Sequence, residues 1–284
     1  MAEMVVYLNG KFMPYDEAKV GIEDRGFQYA DGIYEVIRVY DGKPFRLEDH
    51  FDRLEMSAKA IELDLPDLEK LKADAMELLR LNGSREASLY IQVTRGPAVR
   101  KHEFPAEAQP TVVMMAREVT GYPQEYRRNG VKAITVPDDR WAKCYIKSVS
   151  LLPNVLAKEK AKRAGAYEAI FIRDGFLMEG SHSNVFVVES GVLKTPPLTN
   201  YILAGVTRQV VLEIANDLGV PWFEESIPLD RLLKADEVFF TGTVTEIMPV
   251  VSIDGKVIGS GVPGPLAMKL HEAFVKVVKG ERLP

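Results

Sequence analysis

At 284 residues the chain is long enough for two domains of ordinary size, each with its own apolar core. Hydrophobic residues make up 46% and charged residues 27%, the balance of a globular protein, and no apolar run approaches membrane-span length, which argues against a membrane-spanning role. The net charge of −5, with basic residues spread along the chain, argues against a nucleic-acid partner, and the single cysteine, Cys144, excludes an intrachain disulfide and cannot by itself bind a structural zinc. The expectation is a small-molecule partner, no metal, and a cytoplasmic location, since the opening MAEMVVYLNG lacks the basic and apolar regions of a signal peptide.

The first elements read as strands joined by tight turns. Asn9-Gly10 after residues 5–8 and Asp41-Gly42 after residues 33–40 are hairpin signals. Residues 31–40 are apolar on both alternating faces, Ile33, Ile37 and Val39 on one and Tyr34, Val36 and Tyr40 on the other, which predicts a central strand covered on both sides. The period then changes. Leu47, Phe51, Leu54, Ala58 and Ile61 form one stripe of a helix over 47–63, and His50, Arg53 and Ser57 form a second row. Arg53 is either a phosphate ligand or part of a solvated face paired with Asp49 or Glu55. A second helix over 68–81 and strands over 87–94 and 111–116 complete an α+β unit. The loop 95–105 carries a glycine, two prolines, Arg95, Arg100, Lys101 and His102; it reads as a carboxylate-binding loop or as an ordinary exposed basic loop. Residues 119–124 have linker composition, so the expected domains are 1–118 and 125–284.

The second half opens with a strand over 132–136 and the stretch RWAKCYIKS, residues 140–148. Lys147 follows a short apolar segment. A lysine with a buried stem either pairs with a carboxylate or gives up its proton, and a neutral amine is what Schiff-base chemistry requires; the plain alternative is a surface lysine at a strand end. A helix over 154–164 follows, then hairpin signals at Asp174-Gly175 and Ser190-Gly191. Between them Glu179 stands beside the small-residue turn GSHSN, where a partly buried carboxylate needs a cationic or proton-donating partner. Ala204-Gly205-Val206-Thr207 opens a helix over 208–218 and is an anion site or a plain cap. The strand over 237–241 runs into Gly242-Thr243, a second phosphate-contacting turn or a simple β-turn. A hairpin at Asp254-Gly255 and an amphipathic helix over 265–278 close the chain, with no repeat and no Walker loop.

Nine stretches in order, EDRGFQYADGIYEVIRVY, HFDRL, QVTRG with an Arg-x-His pair after it, DDRWAKCYIKS, LLPNVLAK, YEAIF, MEGSHSNVF, ILAGVTR and TGTVTEIMPV, make the chain similar to the fold-type IV pyridoxal-phosphate aminotransferases, within them to the D-amino-acid branch. The resemblance implies a small N-terminal α+β domain, a larger β-rich C-terminal domain with flanking helices, pyridoxal 5′-phosphate in the cleft between them, and a homodimer with shared active sites. By position it makes Lys147 the Schiff-base and proton-transfer residue and Glu179 the partner of the pyridine nitrogen. Arg53, Val206, Thr207, Gly242 and Thr243 become phosphate ligands, and Tyr34, Arg100 and His102 the clamp on the substrate carboxylate. The implied reaction moves an amino group between a D-amino acid such as D-alanine or D-glutamate and pyruvate or 2-oxoglutarate. An (R)-selective amine transaminase, a branched-chain L-transaminase, an aminodeoxychorismate lyase or a cofactor-free protein on the same scaffold are the alternatives. Two positions depart from the D-specific pattern: His182 stands where a serine is expected, and Tyr145 where an acidic residue is expected.

Overall fold

Five two-residue turns each pair two consecutive strands in the computed structural model, which describes residues 4–107 and 109–283. Asn9-Gly10, Asp41-Gly42, Asp174-Gly175, Ser190-Gly191 and Asp254-Gly255 all have φ between +48° and +87° at both positions. Positive φ at both central residues is the type I′ turn, whose twist matches that of the strands it joins. All five turns expected from the sequence are β-hairpins.

The chain divides into two units. One holds the chain up to Thr120 together with Ile146–Ser150; the other holds Gly121–Tyr145 and the chain from Leu151 onward. The first unit contains β1 (Val5–Leu8), β2 (Lys11–Pro14), α1 (Arg25–Tyr29), β3 (Gly32–Tyr40), β4 (Lys43–Pro44), α2 (Leu47–Ala60), α3 (Leu68–Leu81), β5 (Ala87–Thr94) and β6 (Thr111–Glu118). Its strands form one antiparallel sheet in the order β2-β1-β6-β5-β3-β4. The apolar stripe of α2, with Phe51, Leu54 and Ala58 buried, covers one side of β3. Ile33, Glu35, Ile37 and Val39 are buried on that side, whereas Tyr34, Val36 and Tyr40 are only partly covered. The strand is thus not the central one expected. It lies next to an edge, because β4 is only two residues long, and the returning segment joins the remainder of that edge: Tyr34 N donates to Lys147 O at 3.0 Å and Val149 N to Gly32 O at 3.0 Å.

The second unit contains α4 (Gln124–Asn129), β7 (Val131–Pro137), α5 (Leu152–Arg163), β8 (Glu168–Arg173), β9 (Phe176–Gly180), β10 (Asn184–Glu189), β11 (Val192–Thr195), α6 (Val206–Asp217), β12 (Trp222–Glu224), α7 (Leu229–Leu232), β13 (Glu237–Gly242), β14 (Glu246–Ile253), β15 (Lys256–Val257) and α8 (Pro265–Val278). Its nine strands follow the order β12-β11-β10-β13-β14-β7-β8-β9, with β15 on β14. β9 is at one end of this path and β10 near the other, yet only Ser181, His182 and Ser183 separate them. Three residues span about 10 Å at most, so the sheet must curl until β9 returns to β10. Gly180 N then donates to Ser183 O at 2.7 Å across the connection. Ile170, Leu177, Val187, Phe240 and Val250 fill the inside of this curl. Outside it, α6 and α8 pack on each other and on β13, and Ala157 and Ala161 of α5 pack on Val136 and Phe171. The result is an α+β protein, as expected from the sequence.

Candidate active site

In the first unit the candidate residues gather around Lys147 and β3. Lys147 is half-buried, its N–H donates to Ser57 Oγ at 3.2 Å, and its Nζ lies 4.3 Å from the ring centre of Tyr34. Arg53 does not belong to a solvated face. It is 7% exposed and turned towards the sheet, where Nε and Nη2 donate to the two carboxylate oxygens of Glu35 at 2.7 and 2.8 Å. His50 Nδ1 lies 2.6 Å from the same carboxylate. Burial alone would raise the pKa of Glu35, but the guanidinium and the imidazole outweigh it and hold the carboxyl down at about 2. His50 is pushed down by its own burial, with the Glu35 carboxylate opposing. The row His50, Arg53, Ser57 therefore packs under β3 and towards Lys147.

Arg100 and His102 lie on an exposed loop and meet Tyr29 rather than Tyr34: the Arg100 guanidinium is 4.6 Å from the Tyr29 ring centre, and the His102 and Tyr29 rings are 5.6 Å apart.

In the second unit the candidate residues gather around Glu179 on β9. Its carboxylate is 6% exposed and takes Arg140 Nη1 at 2.5 Å, Leu203 N at 3.0 Å and Asn184 Nδ2 at 3.3 Å. Burial pushes its pKa up, while Arg140 and the Leu203 N–H hold it back. Arg140 is itself fixed by Asp138, at 2.8 and 3.1 Å, over the ring of Phe171. Asn184 connects Glu179 to the start of α6. Its Nδ2 also donates to Leu203 O at 2.9 Å, and a Cβ on Gly205 would come within 2.0 Å of its Oδ1. The N-cap of α6 is Gly205, with no side-chain cap, and Val206 and Thr207 in the first turn are buried. Asn184 is paired in register with Thr241, whose buried hydroxyl has no hydrogen-bond partner among the described residues, and the next two residues are Gly242 and Thr243. The structure thus brings Glu179, the α6 start and the 242–243 turn into one neighbourhood.

His182 and Tyr145, the two departures, differ in setting. His182 Nδ1 lies 2.5 Å from Glu168 Oε2, and Glu168 is fully buried; its carboxyl is held below the ordinary range because His182, Lys158 and Ser181 outweigh the cost of burial. Tyr145 is partly exposed. Burial pushes the Cys144 thiol up to about 11, which leaves it unreactive at neutral pH. Sequence reasoning assigned no role to Glu35, Asp138, Arg140, Asn184 or Glu168. The only local signal was that charged or amide residues stand inside otherwise apolar strands or beside them. Among the described residues no group of three His, Cys, Asp or Glu side chains is placed to hold a metal ion, and no helix is long and apolar enough to cross a membrane.

The first unit thus holds a half-buried lysine against an aromatic ring, and the second a buried carboxylate beside a helix start without a side-chain cap. The family model "Amino-transferase class IV" matches residues 32–253, and the chain belongs to that family. It is 46% identical over 279 residues to the D-alanine aminotransferase of Bacillus licheniformis, covering 98% of both chains. Against the D-alanine aminotransferase of Staphylococcus haemolyticus the identity is 44%, over 96% of this chain and 98% of the relative. Among solved structures, the branched-chain amino acid aminotransferase of Escherichia coli superposes with a TM-score of 0.92 at 29% identity, covering 99% of this chain and 96% of that one.

Proposed function

We propose that the chain is a D-amino-acid aminotransferase that uses pyridoxal 5′-phosphate, with D-alanine or D-glutamate as donor and pyruvate or 2-oxoglutarate as acceptor. The observation that carries this reading is the second unit's arrangement of a buried Glu179 tied through Asn184 to an uncapped helix start. A phosphorylated pyridine needs a carboxylate at the ring nitrogen and N–H or O–H donors at the phosphate. Glu179 would supply the first. Val206, Thr207, Gly242 and Thr243, beside the unpartnered Thr241 hydroxyl, fit the second, with Arg53 as the cationic ligand. When bound, the cofactor supplies an electron sink for the charge that develops at the substrate Cα.

The protein's own groups then have distinct tasks. The Lys147 amine would hold the cofactor covalently and would carry the proton to and from the substrate Cα. Tyr34 packs its ring against that amine and limits the directions from which Nζ can approach. Glu179, kept in place by Arg140, would pair with the ring nitrogen and keep it protonated. Arg100 and His102, with Tyr34, clamp the substrate carboxylate and so choose which face of Cα meets Lys147. A homodimer belongs to the same proposal, with the 95–105 loop of one copy serving the site of the other. The exposed side chains of Phe27 and Val99 in the first unit and of Leu152, Val155 and Leu156 on α5 are the apolar surface such a dimer would cover.

A branched-chain L-aminotransferase is the second reading, favoured by the 0.92 TM-score to such an enzyme but opposed by the higher identity to D-alanine aminotransferases. A panel of D- and L-amino acids followed by cofactor absorbance separates the two. Lys147→Ala should remove both turnover and the visible band of the lysine-bound cofactor; wild-type turnover in this variant would end the proposal. Arg100→Ala should raise KM for D-alanine far more than for (R)-1-phenylethylamine, which has no carboxylate, and equal changes would reject the clamp.

A further inference from the structure

The loop that bears Arg100 and His102 is exposed along its whole outer stretch, yet it is anchored from below by one buried side chain. Arg25, 4% exposed, donates from Nη1 to Lys101 O at 2.7 Å and Glu103 O at 3.3 Å, and from Nη2 to His102 O at 3.4 Å. Its Nε donates to Asp31 Oδ2 at 2.8 Å. Asp31 also binds Arg95, the first residue of the loop, through both oxygens at 2.8 and 3.0 Å. Arg95 in turn donates to Ile61 O and Glu62 O, both at 2.7 Å, and lies 3.6 Å from the ring centre of Phe104. The backbone repeats the connection: Arg25 N donates to Gly96 O at 2.9 Å and Ala98 N to Glu23 O at 3.1 Å. Tyr29, at the far end of α1, has the guanidinium of Arg25 4.8 Å and that of Arg100 4.6 Å from its ring centre. Gly26 is required for this docking, since a Cβ there would lie 2.2 Å from Thr94 Cγ2.

From these contacts we infer that Arg25, Asp31 and Arg95 form a clasp that positions the 97–104 loop and thereby sets the affinity for the substrate carboxylate. Arg25 is a positioning residue: it reaches the loop's carbonyls and leaves the side chains of Arg100 and His102 facing outward. Only a planar guanidinium can serve a carboxylate and three carbonyls in different directions; a lysine ammonium offers its donors from a single point. The functional half of the inference rests on the proposal that Arg100 and His102 bind the carboxylate.

The test uses the holoenzyme and two variants, Arg25→Lys and Asp31→Asn, the second guarding against misfolding of the first. Hydrogen–deuterium exchange of the amides at positions 25 and 98, which donate to Gly96 O and Glu23 O across the docked loop, reads the clasp. It should quicken by about tenfold or more in both variants while the strands of the first unit keep their protection. KM for D-alanine should rise on the order of tenfold, kcat far less, and KM for (R)-1-phenylethylamine should stay as in the parent, because misplacing a positioning group by an ångström costs up to about 10²-fold. Unchanged exchange in folded variants overturns the clasp. Faster exchange with equal KM changes for both donors overturns the functional half and, with it, the carboxylate role of Arg100 and His102, while the structural clasp stands.

Discussion

Glu35 is 1% exposed beneath α2, and its charge survives there only because Arg53 and His50 surround it. Breaking a buried pair by removing one partner costs about 3–5 kcal/mol, since the remaining charge stays buried and uncompensated. Glu35→Gln should therefore lose about that much stability at pH 7 in a denaturant titration. The sign with pH follows from the depressed pKa. The contribution is present above the unfolded value of about 4.3 and lost as pH falls through about 2. The gap between parent and variant should thus shrink over that interval and not on the alkaline side; a gap independent of pH down to about 2 would refute the assignment. Arg53 was visible in the sequence as a cation on a helix, but its partner was not. Glu35 shares the alternating face of Ile33, Ile37 and Val39, but nothing near it in the sequence names its partner, and the two are 18 residues apart. Lys147 was more legible: an amine after an apolar segment predicts a partly buried side chain, and half-burial against Tyr34 is what the structure shows.

Among the elements, α6 depends most on a single glycine. Gly205 caps it with extended backbone, and the lack of a Cβ lets Asn184 sit between Glu179 and Leu203. Gly205→Ala would place a Cβ 2.0 Å from Asn184 Oδ1 and force the amide away from both partners. An unsatisfied buried amide costs about 1–3 kcal/mol, so cofactor retention measured by equilibrium dialysis should fall roughly tenfold or more. Retention at the parental level would show that Asn184 does not support the site. The element boundaries themselves were largely legible. The expected helices over 68–81 and 265–278 coincide with α3 and α8, and the five Xaa-Gly turns are all hairpins, because turn type and helical stripe depend on residues close in sequence. α1, α4, β12 and α7 were not anticipated. Each has six residues or fewer, too short for a period to declare itself, and α1 is held by Asp24 at its N-cap and by Thr94 from across the sheet.

At the scale of the whole molecule, the exposed Leu152, Val155 and Leu156 on α5 recur at helical spacing and leave an apolar stripe uncovered in a single copy. The protein should run as a dimer in analytical ultracentrifugation, and Val155→Asp with Leu156→Asp should shift it towards monomer with loss of activity; a fully active monomeric variant would reject shared sites. The division of the chain has a similar character. Residues 119–124 looked like a linker by composition; the first compact unit holds the chain up to Thr120 together with Ile146–Ser150, which pairs with β3 and brings Lys147 with it. By itself the sequence determined the turns, the helix stripes, the family and the order of its motifs, since those rest on side chains within a few residues of one another. The partners of the charges were decided only by the tertiary structure. Arg25 meets Lys101 from 76 residues away, Arg140 meets Glu179 from 39, and burial, which decides whether such pairs hold their charge, is created by the packing of the folded chain.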